Sequence, residues 1–566
     1  MVSGGCGRLA GAFRDRYLVL LFIVAFFVVV SSFVFIIIDK TPQAWDQALH
    51  MYFSFIYFNL IKSLELGSIV HVSNYYPPFL HLVSIPLYFV FGFHEDTAIA
   101  TNLFFYLLIV FSIYRVGEYL RDRRTGVIAA VLVSFYPMMI VLQREYMIDV
   151  GLTSICIFTI YLFIKSENLK NVKYSAFFGI SLGLCELMKW TAFIYLLPAI
   201  IMLYARGVLD GMRFCAFCGK PIGERFVSQG LRRRFCSDRC VKRFQVAGDG
   251  NAGASESTLP SLFIASILAF VSCAWWYLPN LEVVIMRLTH FASTRGELEG
   301  DPTYLTLQGW IYYTRALSEN MGIVLFLLAV FSIIFLLWKR DRDAPFVLVS
   351  VVVPYVVFTV VSNKNGRYIM PIMPILALST ALMLTQLESL SRLSKRLKKI
   401  DWGSLEKALL GVVVLVGTLQ LLTVTIGVPD LTDKGWIYPS ARRPDTSDWK
   451  IDEVMETIES NGGSGNLVLV LPDHAYLNGQ SLEFYRLKDG YNFRVYNGVY
   501  VGYDAVAKNF DKIKFFLVIE PREHHDSFGS VEARLYQLFY EHEDEFSEVG
   551  AFTLPDNTTL FVYMRE

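Results

Sequence analysis

FLHLVSIPLYFVFGF, residues 79–93, is the stretch on which the topology of this chain turns. It is apolar, but it follows Pro77-Pro78, contains Pro86 and is only fifteen residues long. A membrane-crossing helix needs roughly 20 apolar residues. If 79–93 crosses, every later loop changes side. If it lies at the interface or re-enters, the basic clusters all fall on one face: Arg121/Arg123/Arg124, Lys165/Lys170/Lys173, the loop 206–258, Lys339/Arg340/Arg342 and 392–407. They then share the side of Arg8, Arg14 and Arg16, and the positive-inside rule selects this second topology.

The rest of the chain is built for a bilayer. It is 54% hydrophobic and 15% aromatic with only 18% charged residues, where an ordinary soluble domain is nearer a quarter charged. Its 51 Lys and Arg balance 51 Asp and Glu, so net charge argues against a nucleic-acid partner and against bulk steering. Candidate spans are 17–38, 98–119, 125–142, 146–164, 259–278, 321–338, 344–361, 368–387 and 408–428. The stretch 174–204 is too long for one span and is interrupted at Met188-Lys189-Trp190, which predicts two short helices meeting at the lysine. The first run is longer than a signal-peptide core and ends in Ile36-Ile37-Ile38-Asp39 without a small-residue cleavage site, so it stays as an anchor. The expectation is a polytopic α-helical membrane protein of about eleven spans, with a cytoplasmic N-terminus and an extracytoplasmic C-terminal domain.

In that topology one face gathers Asp46, the stretch 75–78, residues 144–149, Lys189, the loop 279–320 and residues 364–367. Ionisable groups at the edge of apolar spans are costly unless paired or used, so their convergence marks a candidate site. Asp46, in AWDQALHMYF (44–53), suits a base that takes a proton from an incoming hydroxyl or amine. Glu145 and Asp149 are spaced to share one face of a helix. Arg144, Lys189 and Arg367 are candidates to hold a phosphate, arginine by its planar two-pronged donor fork. Each has a plainer role as well: Arg144 could pair with Glu145 or Asp149, Lys189 could snorkel, and Arg367 could anchor the interface beside Tyr368.

Five motifs carry a resemblance, in order along residues 17–390: WDQALH (45–50), YPPFLHL (76–82), QREYMIDVGLT (143–153), GLCELMKWTAFIYLLP (183–198) and RYIMPIMPILAL (367–378). The chain resembles the GT-C membrane glycosyltransferases, specifically the dolichyl-phosphate-mannose–protein mannosyltransferase family and its bacterial aminoarabinose-transferase relatives. The resemblance implies a GT-C-like fold and an inverting transfer of a sugar from a polyprenyl-phosphate-linked donor to an acceptor protein, lipid or glycan on the extracytoplasmic face. It implies that Asp46 is the catalytic acid and that Arg144 and Asp149 form the second motif. Gln47 stands where many members carry Glu, and Tyr75-Tyr76 where the aminoarabinose transferases carry Glu-Lys; an active-site divalent metal is left open. A transporter or flippase for a lipid-linked or anionic substrate is the alternative from another class, but the sequence shows no related halves.

Two segments stand outside the bundle pattern. Cys215, Cys218, Cys236 and Cys240 form Cys-x2-Cys, seventeen residues, Cys-x3-Cys, a spacing suited to a tetrahedral structural zinc in a reducing cytoplasm. Ten Lys and Arg lie between Arg206 and Arg243, so this zinc-ribbon-like insertion reads either as a positive-inside loop stiffened by zinc or as a docking point for anionic headgroups of membrane lipid or a cytoplasmic partner. After Val428 the composition shifts: strands are expected at 466–471, 493–496, 514–519 and 560–564, and helices at 452–460, 480–487 and 531–542, an α/β domain. Asp473-His474 follows the first strand and reads as a surface loop. The organisation is therefore 1–205, an N-terminal membrane half with the catalytic motifs; 206–258, the cytoplasmic insertion; 259–428, a C-terminal membrane half; and 429–566, the external domain. A prokaryotic plasma membrane is the expected location.

Overall fold

The computed structural model describes residues 16–213, 227–229, 233–235, 258–293, 296, 299–392, 401–433, 435–520 and 529–566. Among these, six helices are long and apolar enough to cross a membrane: Tyr17–Ile38, Glu95–Leu120, Ile148–Lys165, Thr258–His290, Gly366–Leu384 and Trp402–Ile426. The pair Leu307–Met321 and Ile323–Trp338, bent by 118°, makes a seventh if taken as one span. Six or seven, not eleven, is thus the number that length and composition support. The other apolar runs form shorter helices, Phe79–Phe91, Ala192–Val208 and Ala344–Val360. The stretch 125–142 breaks into Arg123–Ser134 and Pro137–Leu142 because Tyr136, held before a proline, is extended (φ −71°, ψ 123°).

The 174–204 run does divide at Lys189, into Val172–Met188 and Ala192–Arg213. The 259–278 span is longer than expected: its helix runs through Pro279 to Ser293, so much of the anticipated loop 279–320 is helical. Phe79–Phe91, at ~1.5 Å rise per residue, is too short for a ~30 Å hydrocarbon layer. It buries Leu80, His81, Ser84, Ile85 and Tyr88 on one face and exposes Phe89, Val90 and Phe91 at its end.

Burial sorts the helices into layers. The apolar windows of Ile148–Lys165 and Gly366–Leu384 are each 83% buried, whereas that of Thr258–His290 is only 22% buried. The first two are the bundle's centre; the last is periphery, with Phe263, Phe270 and Val271 turned outward as a lipid-facing surface. Helix Thr258–Ser293 meets Val172–Met188 across Gly179 and Gly183, where an added Cβ would come within 2.2 Å of the Ala265 carbonyl oxygen and 2.4 Å of that of Ala269. Only glycine allows this backbone approach.

The two ends of the bundle differ. At one, Arg206 pairs with Asp343 at 2.8 Å, Arg121 with Asp341 at 3.5 Å, and Arg342 donates to the Leu120 carbonyl at 3.0 Å. At the other end of the same Glu95–Leu120 helix, Glu95 pairs with Lys488 of the C-terminal domain at 3.0 Å. The basic loops and the C-terminal domain therefore lie at opposite ends.

That domain holds a five-stranded mixed sheet of order β4-β3-β5-β7-β6, with β3 Leu467–Val470, β4 Arg494–Asn497, β5 Ile513–Glu520, β6 Phe546–Thr553 and β7 Thr559–Arg565. β4, β3 and β5 are parallel; β7 and β6 continue antiparallel. The expected strands and helices are present, and β6 is one the sequence pattern missed. Strand alternation builds two cores: Val468, Val470, Phe515, Leu517 and Ile519 face one side, and Leu469, Phe516 and Val518 face the other. Central strands covered on both faces read as unbroken apolar runs rather than alternating ones.

Cys215, Cys218, Cys236 and Cys240 lie outside the described residues. A short antiparallel hairpin, β1 Val227–Gln229 with β2 Arg233–Phe235, falls between the two cysteine pairs.

Candidate active site

Asp46 stands in the first turn of the Trp45–Lys62 helix, whose start is closed locally by Gln47: its backbone N–H donates to the Ala44 carbonyl, and its side-chain oxygen accepts from the Ala44 N–H. Asp149 opens the Ile148–Lys165 helix, where a carboxylate meets the positive helix end. The turn before it is fixed from below. Ser54, Ser84 and Tyr88 share a buried hydroxyl cluster with Tyr146, and the Asn102 amide donates to the Glu145 carbonyl at 2.5 Å. Lys189 occupies the break between two helices, and Arg367 the short 3-10 helix Gly366–Ile372 before Met373–Leu384.

These four side chains meet. Arg367 Nη2 lies 3.1 Å from Asp46 Oδ2, and its Nη1 lies 3.9 Å from Asp149 Oδ2. Lys189 Nζ donates to Asp149 Oδ1 at 3.1 Å and sits 4.8 Å from the Tyr368 ring centre. Tyr76 donates its hydroxyl to Asp46 Oδ1 at 3.3 Å. Two carboxylates and two cations thus balance in a cavity of about 140 Å³. Its remaining wall is apolar, with Phe193, Ile194, Leu288 and Phe358. Such a hollow suits an amphiphile with a charged or polar reacting centre.

Burial opposes ionisation of Asp46, but Arg367 and Lys189 outweigh it and hold the carboxyl below its usual range. The group lies deep in the protein, yet 42% of its side chain is reachable through the cavity. His50, one helical turn on, is pushed down to about 4 by burial and faces the cavity as a neutral imidazole. Its Nδ1 lies 3.1 Å from His81 Nε2. Burial and the nearby Asp46 raise the Tyr76 hydroxyl, which stays a donor. Glu145 is raised to about 7, chiefly by burial.

Two expected members are arranged differently. Glu145 and Asp149 do not share a helix face: residues 143–146 are turns, and extended Met147 (φ −126°, ψ 148°) starts the helix after Glu145. Arg144 is turned away from Asp46 altogether. It donates to Ser32 Oγ at 3.2 Å, to the Val424 carbonyl at 2.8 Å and to Thr425 Oγ1 at 3.2 Å, and stacks on Phe35. It lines a separate cavity of about 540 Å³ between the bundle and the C-terminal domain. Among the described residues no group of three or more His, Cys, Asp or Glu is arranged for a metal ion.

Two family models match the sequence. Residues 76–212 match the dolichyl-phosphate-mannose-protein mannosyltransferase model, and residues 298–429 match that of the Alg9-like mannosyltransferase family. Over these two stretches the chain is similar to membrane mannosyltransferases. Similar folds occur among solved structures. ArnT from Cupriavidus metallidurans in the apo state aligns over 96% of this chain and 97% of its own at TM-score 0.52, with 12% identity. The same protein bound to undecaprenyl phosphate aligns over 96% and 98% at 0.53, again with 12% identity. The oligosaccharyltransferase AglB from Archaeoglobus fulgidus aligns over 96% of this chain and 74% of its own at 0.51, with 12% identity. No curated protein matches by sequence.

Several residues around the site escaped the sequence reading. Tyr76 had a signal, since it begins the quoted YPPFLHL, but nothing in the order of residues aims its hydroxyl at Asp46. Asn102 and Ser84 sit in apolar helices and look like tolerated polar residues until their partners are seen. Asp473, read as a surface residue, is 7% exposed and accepts from Trp45 Nε1 at 3.1 Å.

Proposed function

We propose that this glycosyltransferase moves a sugar from a polyprenyl-phosphate donor to an acceptor hydroxyl or amine, with inversion at the anomeric carbon. The observation that carries this reading is the meeting of Asp46, Asp149, Lys189 and Arg367 at one end of an otherwise apolar cavity. The isoprenoid tail lies along the apolar wall, and the phosphodiester faces the cations. Asp46 accepts the acceptor's proton as the new bond to the sugar carbon forms and the carbon–oxygen bond to phosphate breaks. The lipid phosphate leaves with the bonding pair, and Lys189 and Arg367 stabilise the charge that develops on it. Asp149 holds both cations in place before and after transfer. The relatives support the donor class: one is named for dolichyl-phosphate-mannose, and ArnT was solved with undecaprenyl phosphate.

The reaction is placed on the extracytoplasmic side, which the segregation of Arg121, Arg206 and Arg342 to the opposite end supports. The insertion 206–258 is placed in the cytoplasm, with Cys215, Cys218, Cys236 and Cys240 holding one structural zinc. Metal analysis of the purified chain should then give one zinc per molecule, abolished when the four cysteines are replaced by serine.

The decisive experiment offers the full chain, in vesicles, a panel of polyprenyl-phosphate sugars starting with the mannose derivative, together with envelope protein, lipid and glycan fractions as acceptors. Wild type should release lipid phosphate and label one fraction. Asp46→Asn should fold, still bind undecaprenyl phosphate, and turn over about 10²–10⁴-fold more slowly, the usual worth of a general base. Wild-type rates in Asp46→Asn would remove the carboxylate from the mechanism.

A further inference from the structure

The segment that delivers Asp46 is held by the C-terminal domain along its whole length. Asp39 receives both Nη atoms of Arg442, at 2.7 and 2.8 Å, and the Asp445 N–H at 2.8 Å. The Lys40 N–H donates to the Asp445 carbonyl at 2.6 Å. Ser481 Oγ donates to the Gln43 carbonyl at 2.7 Å. The last link before the catalytic residue is the Trp45 indole N–H, which donates to Asp473 Oδ1 at 3.1 Å.

Trp45 is also strained. Its φ is +25°, in a region that L-residues with bulky side chains rarely enter. Such strain persists only where surrounding contacts impose it. Locally the turn is closed only through Gln47, because Ala44, the residue before, has no capping side chain. Asp473 supplies the hold from outside. It stands just beyond the carboxyl end of β3, at the point where successive parallel strands β4 and β5 depart to opposite sides. In open α/β sheets this crevice is where ligands bind. Here the indole of Trp45, the residue before Asp46, reaches it.

We propose that Asp473 is a positioning residue for the glycosyl transfer: through the Trp45 indole it sets the first helical turn that carries Asp46, which makes the 429–566 domain a working part of the catalytic centre. The inference rests on Asp46 being the base. A carboxylate acceptor makes the hydrogen bond charge-assisted, hence stronger than a neutral one. A shift of about 1 Å in a reacting group costs on the order of 10²-fold in rate, so a bond one residue away has leverage.

The test uses the full chain in vesicles with the polyprenyl-phosphate sugar that wild type turns over. Asp473→Ala and Trp45→Phe should each lower kcat about 10–100-fold, with the donor KM within about twofold. The double variant should be no slower than the worse single, because both remove the same bond. Asp473→Asn, which keeps an acceptor oxygen, should recover most of kcat. With the turn loosened from Arg367, the acid limb of kcat/KM should move up toward the ordinary carboxylate range in Asp473→Ala and Trp45→Phe. Trp45→Phe keeps the ring, so it carries the test should Asp473→Ala fold poorly. Additive losses, a change confined to KM, or unaltered kcat in Trp45→Phe would each overturn the proposal. Full activity of Asp46→Asn would overturn the underlying reading of Asp46 instead, whatever position 473 does.

Discussion

Arg367 lies 3.1 Å from Asp46, a residue 321 positions away, and its second nitrogen points to Asp149 at 3.9 Å. One guanidinium therefore keeps two carboxylates apart in a cavity that would otherwise hold like charges side by side. Lysine presents a single point charge and cannot reach both. Arg367→Lys should cut turnover at least tenfold and raise the donor KM, and Arg367→Ala should also lower thermal stability. Unchanged kcat and KM in the lysine variant would show that the two-pronged contact is not used.

The Lys189–Asp149 pair is mostly buried, with the two side chains 15% and 3% exposed. Removing one partner strands the other, at a typical cost of about 3–5 kcal/mol, whereas removing both costs far less. Lys189→Met and Asp149→Asn should each lower the melting temperature, and the double variant should recover part of the loss while remaining inactive. Simple addition of the two losses would mean that the ion pair contributes nothing as a pair.

Arg144 was expected to handle the donor phosphate, but its position assigns it another effect. It satisfies the Val424 carbonyl in the last turn of Trp402–Ile426 and ties that helix to Ser32 of the first. Exposed helix-end carbonyls and a buried cation both need such partners. Arg144→Ala should lower thermal stability by the equivalent of about 2–3 kcal/mol, leaving undecaprenyl-phosphate affinity within a factor of two. Lost affinity at wild-type stability would return Arg144 to the donor site.

Glu145 gives a pH signature. Burial raises it from 4.5 to about 7, so the folded protein holds its proton more tightly than the unfolded chain. The resulting stability is complete below about pH 4.5 and is lost as pH rises through about 7. Glu145→Gln, which cannot ionise, should match wild type near pH 5 and exceed its melting temperature at pH 8. A gap that closed with rising pH would contradict the raised value. Asp46 has the opposite sign: its neighbouring cations hold it below its ordinary range, so activity lost between pH 7 and 5 does not come from it.

The order of residues alone determined that this is a membrane protein, that the run 174–204 breaks at Lys189, and which residues to suspect. Apolar runs, basic loops and turn residues are local signals, because hydrophobic thickness and charge placement act on each segment separately. The division of 174–204 at Lys189 and the α/β character of 429–566 were legible for that reason. So were Asp46, Asp149, Lys189 and Arg367, as charges at the ends of greasy segments. What the order could not set is direction. Arg144 and Arg367 carry the same guanidinium in similarly apolar settings, and only the packed bundle turns one toward Asp46 and the other toward the end of a helix 280 positions on. The link from Trp45 to Asp473 spans 428 positions and two domains, so no local pattern encodes it. Side-chain aim is fixed by which neighbours remain to satisfy a buried charge, and those neighbours exist only once the chain has folded.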